Sequence, residues 1–164
     1  MKENDLFSVV RRGVLPDSCV VGSGAPLCTD IRHAVATRIQ QVMEQAVWRT
    51  RSDHVVCARR FTIARLECPL DGDSVTDIFD QLLRLECGVP GTLDQLDITV
   101  RADPEALRHG PLVALNSELK RGKTMYSPVA FWTGQTHGKT VFSMTPSRTG
   151  GWFRGTAFLL VEGS

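Results

Sequence analysis

The chain is 164 residues long, 42% hydrophobic and 23% charged, with a formal net charge of +1. That length fits one domain burying about two-thirds of its unfolded surface, with no need for metal or disulfide staples. No apolar run approaches the roughly 18 to 20 residues of a membrane span, and the start Met1-Lys2-Glu3-Asn4-Asp5-Leu6 lacks an apolar leader core, which predicts a cytoplasmic protein.

In chain order, Leu6–Val10 suits a short strand or a helical turn, which Gly13 and Pro16 would break. Gly22-Ser23-Gly24-Ala25-Pro26 reads as a loop. A first helix is predicted over about Asp30–Arg49, because Ile31, Ala34, Val35, Ile39, Val42, Met43 and Ala46 recur at three- and four-residue spacing. His54–Cys68 reads as strand, with Phe61 and Ile63 on one face and Thr62, Ala64 and Leu66 on the other.

Pro69–Asp73 has turn chemistry. A second helix is predicted over Ser74–Cys87, capped by Ser74 and stopped by Gly88 and Pro90. Leu96, Ile98 and Val100 alternate with Asp97, Thr99 and Arg101, the pattern of a half-buried strand. Asp103-Pro104-Glu105 then opens a short helix that Gly110 and Pro111 end. Leu112–Leu119 fits strand or helix.

Beyond Ser127 the pattern is β. Pro128–Thr133 and Lys139–Thr145 flank a five-residue hairpin connection, Gly150-Gly151 makes a turn, and Trp152–Val161 is a last strand. The expected fold class is α+β: a single domain with an antiparallel or mixed sheet, two main helices on one face and a C-terminal β-meander.

Few motifs survive their own requirements. Gly138-Lys139-Thr140 resembles the end of a phosphate-binding loop. However, the leading glycine is replaced by Thr133, and Val141–Thr145 reads as strand where a helix must start. Gly22-Ser23-Gly24 lacks the third glycine of a dinucleotide fingerprint. His54, Cys57, Cys68 and Cys87 are too widely spaced for a zinc site, so no metal and no cofactor is expected. The five cysteines are odd in number and read as reduced thiols. No Gly-x-Ser-x-Gly elbow organises a nucleophile. Among His33, His54, His109 and His137, the last sits at a hairpin tip beside Lys139 and is the candidate proton-transfer residue.

The charge is split along the chain. Glu67–Glu105 holds ten carboxylates against Arg84 and Arg101. Between Lys120 and Val161 there is no carboxylate, six cations (Lys120, Arg121, Lys123, Lys139, Arg148 and Arg154) and seven of the eleven aromatics. Helix-capping acids account for part of the contrast. The expected function is a non-catalytic binding or accessory protein, forming a homo-oligomer through its opposed charges or recognising a protein partner or a small anion. The candidate ligand-binding residues are Lys123, Lys139, Arg148, Arg154 and Trp152. The alternatives are a small enzyme acting on an anionic or phosphorylated substrate, and a single-stranded nucleic-acid binder using the basic, aromatic sheet. A pI of about 7.7 speaks against the last.

Overall fold

The computed structural model of the chain describes residues 6–15, 48–51, 58–70, 75–133, 139–147 and 152–163. Most of the expected first helix, the Gly22 loop, His33, the His54–Cys57 pair, His137 and Arg148 lie outside these residues. Arg49, placed at that helix's end by the sequence, pairs instead as strand with Glu118.

The described residues share one mixed, sheet-rich architecture. Strands β1 (Phe7–Val14), β2 (Arg49–Thr50), β3 (Arg60–Leu66), β4 (Val89–Pro90), β5 (Leu112–Val113), β6 (Ser117–Arg121), β7 (Thr124–Thr133), β8 (Lys139–Pro146) and β9 (Ala157–Glu162) form one sheet. The spine runs β1-β3-β9-β5-β7-β6-β2, with β4 also on β9 and β8 on β7. Every described pairing is antiparallel except β5 with β9.

β1 is longer than its sequence suggests, and Gly13 does not break it. Gly13 faces Phe61 across the β1–β3 ladder. A Cβ at residue 13 would lie 2.4 Å from the Phe61 ring, so the glycine makes room for a buried aromatic.

Strand alternation sorts the core onto two faces. Phe61, Ile63, Leu112, Ala130, Leu159 and Val161 enter one cluster. Ala64, Leu66, Val113, Val129, Phe158 and Leu160 enter the other. The division of β3 therefore matches its sequence pattern. Helix α1 (Val75–Leu83) covers the second face with Ile78, Phe79 and Leu82. Helix α2 (Leu93–Ala102) covers the first with Leu93, Leu96 and Val100. The two described α-helices thus lie on opposite faces; of the two helices expected together on one face, only the second falls within the described residues.

α2 is the main correction to the sequence reading, which made Leu96–Val100 a strand. Its apolar residues satisfy both periods, and a capping box decides for helix. The Gln95 N–H donates to Thr92 Oγ1 at 3.4 Å, and the Thr92 N–H donates to Gln95 Oε1 at 2.9 Å. Asp97 and Arg101, one turn apart, add a bidentate pair at 2.8 and 3.0 Å. The short helix expected after Asp103 is a 3-10 helix over Pro104–His109. Asp103 does not cap it with its side chain; its carboxylate accepts two hydrogen bonds from Arg11 on β1.

The hairpin between β7 and β8 closes with Thr133 opposite Lys139. The meander stops there. β9 does not pair with β8 but inserts between β3 and β5 in the middle of the sheet, and Ala157 to Val161 are all buried. The last strand is also shorter than expected, because a turn occupies residues 153–156.

Candidate functional site

Three segments meet at one end of the central strands. The first is the end of β3, with Arg65 and Glu67. The second is the end of the 3-10 helix, with Arg108, His109, Gly110 and Pro111. The third is the turn Phe153-Arg154-Gly155-Thr156 leading into β9. Together they line a cleft of about 700 Å³.

Backbone bonds fix the turn. The Thr156 N–H donates to the Phe153 carbonyl at 3.2 Å, and Gly155 has φ +91°, the geometry a type II turn asks of its third residue. Leu70 and Trp152 exchange both backbone hydrogen bonds at 2.9 and 2.8 Å. The Leu66 N–H donates to Thr156 O, and the Gly155 N–H to Leu66 O, each at 2.8 Å. Arg154 therefore stands at the corner of a turn anchored on both sides. The Ala157 N–H donates to Pro111 O at 2.8 Å, which ties the 3-10 helix exit to the same place.

The cleft is cationic. Among the described residues, Arg65, Arg108 and Arg154 line it against one carboxylate, Glu67. Arg65 Nε donates to Glu67 at 3.0 Å, and Ser8 Oγ donates to the same carboxylate oxygen. These two bonds, Ser8 first, hold the Glu67 carboxyl below its usual range, so it stays ionised. Arg108 pairs with Glu105 at 3.0 Å outside the cleft lining. Among the described residues Arg154 has no ion pair within 4.0 Å. Burial, then the charges of Arg11, Arg65 and Arg108, lower the pKa of His109 against a smaller opposing pull from Asp103. His109 is consequently a neutral imidazole at pH 7, able to donate and accept.

An apolar groove of about 550 Å³ adjoins the cleft. Val113, Val129, Phe131, Met144 and Trp152 line it, and among the described residues no charged side chain does. Trp152 packs edge-on against Phe158, with ring centroids 5.2 Å apart.

The residues singled out in the sequence do not form one cluster. Arg154 lines the cleft and Trp152 the groove. Lys123 sits exposed with Gly122 in the two-residue turn between β6 and β7. Lys139 begins β8 at the other end of β7. The ten residues of β7 span roughly 30 Å, so one small ligand does not reach both lysines. Four described carboxylates of the acidic segment find their ion-pair partners outside the carboxylate-free stretch, although the charge of Arg154 adds to the pull on Glu67. Glu67, Asp97, Asp103 and Glu105 pair with Arg65, Arg101, Arg11 and Arg108.

Nor do the aromatics of that stretch form a stacking platform. Phe142 and Phe158 are buried, Phe131, Trp132 and Trp152 pack against the two cores, and Tyr126 is half-buried. Phe153 is the exception, 82% exposed.

Among the described residues no three His, Cys, Asp or Glu side chains group as metal ligands, and Cys68 and Cys87 are free thiols. No described helix is long and apolar enough to cross a membrane. Nothing local in the sequence marks Arg65 and Arg108 as site residues, and His109 is there a candidate ranked behind His137. The hints were two glycines, Gly110 two residues after Arg108 and Gly155 directly after Arg154. No family model, curated protein or solved structure matches the chain.

Proposed function

We propose that the chain is a binding protein for a small anion, held in the cleft by Arg65, Arg108 and Arg154. The observation that carries this is that three arginines from three separate segments line one concavity with a single carboxylate among its described lining residues. Guanidinium groups suit planar, bidentate recognition of carboxylate and phosphate. The volume falls within the range of small-molecule sites.

The test is calorimetric titration of the protein with sulfate, alongside a thermal-shift series over sulfate, phosphate and citrate. Binding stabilises the folded state by mass action. Arg154→Ala should weaken sulfate binding about tenfold or more, as expected for a charge-assisted contact, while Lys123→Ala leaves it unchanged. The absence of a shift with every anion would remove this reading.

His109 favours a second reading, proton transfer on the bound anion. A neutral imidazole among cations is suited to act as a base. It is distinguished by turnover that His109→Gln abolishes while sulfate still binds. Homodimerisation through the charge split has less support, since four carboxylates of the acidic segment already pair within the chain. Light scattering at low and high salt checks it. The exposed aromatic surface that single-stranded nucleic acid requires is reduced to Phe153 among the described aromatics of the carboxylate-free segment.

A further inference from the structure

The cationic cleft and the apolar groove share a wall: Pro111, Phe153 and Thr156 line both. We propose that they are two halves of one site. Its ligand class is an amphipathic small anion, a carboxylate or phosphate head joined to an alkyl or aryl body. The proposal rests on the anion reading of the cleft and extends it.

Charge fixes the orientation. Among the described residues the groove has no charged lining residue and the cleft has three arginines, so the head takes the cleft and the body takes the groove. Size fits as well. The cleft alone holds about 700 Å³, more than an inorganic anion needs, and the groove continues it for about 550 Å³. The combined space matches a molecule with both a polar and an apolar end.

Phe153 supports the connection. A single exposed phenylalanine is ordinary on a protein surface. This one stands on the shared wall, directly before Arg154 in a turn held by backbone bonds. A chain running from Arg154 into the groove crosses it and takes its ring out of water. Trp152, on the groove side, stays packed on Phe158 and gives the groove a rigid end.

The experiment is calorimetric titration of the full chain with inorganic phosphate, butyl, hexyl and octyl phosphate, octanoate and octanol, all below their micelle-forming concentrations. Affinity should rise with chain length by up to about fourfold per methylene and level off once the groove is filled. Octyl phosphate against octanoate identifies which head the arginines prefer. Arg154→Ala should weaken every phosphate about tenfold. Phe153→Ala, an exposed position, should weaken octyl phosphate about threefold or more beyond any change in inorganic phosphate binding.

Binding that depends on Arg154 but not on chain length would overturn the joined site and leave the anion reading standing. Octanol binding as tightly as octyl phosphate, unaffected by Arg154→Ala, would overturn the anionic head. No binding of any phosphate or of octanoate would overturn both readings.

Discussion

Gly110 packs directly against the carbonyl oxygen of Gly155: a Cβ at residue 110 would lie 2.5 Å from that oxygen. The two glycines belong to different arms of the cleft, and both have positive φ, +121° at Gly110 and +91° at Gly155. Their contact joins the 3-10 helix exit to the turn that carries Arg154.

Gly110→Ala should therefore be costly for two reasons, a strained backbone and a collision with main chain that cannot rotate away. The expected loss is about 2 kcal/mol or more, a fall in melting temperature of roughly 4 to 8 °C, together with weaker sulfate binding. Gly155→Ala is the control. A Cβ there meets nothing within 4 Å, so only the backbone strain remains and the loss should be nearer 1 kcal/mol. Thermal melts of both variants check the ranking. Equal losses would mean the close approach at residue 110 is unimportant.

The same contact shows why the site was hard to read in the sequence. Arg65, Arg108 and Arg154 lie in separate segments, and only the central position of β9 brings those segments together. Strand faces, by contrast, are local. Phe61 and Ile63 against Ala64 and Leu66 follow from a two-residue period, and the Thr133–Lys139 closure follows from turn chemistry. The order of strands does not. β9 pairs with β3, whose residues lie 92 to 102 positions away (Ala157 against Arg65 differs by 92, and Glu162 against Arg60 by 102), rather than with its neighbour β8. That choice is made by burial of Phe158, Leu159 and Leu160 on both sides, which no short window reveals.

The α2 misreading had a local remedy, and it yields a second prediction. Thr92-Leu93-Asp94-Gln95 is a capping box, and its two reciprocal bonds are both present and buried. Thr92→Ala should cost about 1 kcal/mol, and Gln95→Ala a similar amount. Each mutation breaks a bond made by the same pair of residues. The double variant should therefore lose less than the sum, with a coupling of roughly 0.5 kcal/mol or more. Urea denaturation of the four proteins measures it, and strict additivity would contradict a reciprocal cap.

Asp94 predicts a pH-dependent stability. Burial, then the neighbouring Asp97, push its pKa from 3.8 to about 6. A carboxyl raised on folding favours the protonated form in the native state. Its stabilising contribution is complete below about pH 4 and is lost as pH rises through about 6. The helix N-terminus favours the carboxylate by about 0.3 to 1 kcal/mol, which offsets burial only in part. Asp94→Asn should stabilise the protein above pH 6.5 by on the order of 1 to 2 kcal/mol, after allowance for partial exposure. At pH 4 the gain should vanish. A gain that persists at pH 4 would assign the effect to packing instead.

His109 couples protons to the anion. In the free protein its pKa is lowered by burial first and by Arg11, Arg65 and Arg108 next, with Asp103 opposing. A bound anion offsets those cations, so the pKa of the complex lies above that of the free protein. Binding then takes up protons, and affinity rises as pH falls between the two values. Glu67 does not compete in this window, because Ser8 and Arg65 hold it ionised. Sulfate is the suitable probe, since its own charge is constant there. Titration from pH 8 to 5 should show sulfate affinity increasing several-fold toward acid, with proton uptake visible as a buffer-dependent binding heat. His109→Gln should bind sulfate at a nearly constant affinity across the range. If the wild-type affinity is flat, or the variant retains the slope, His109 does not face the bound anion.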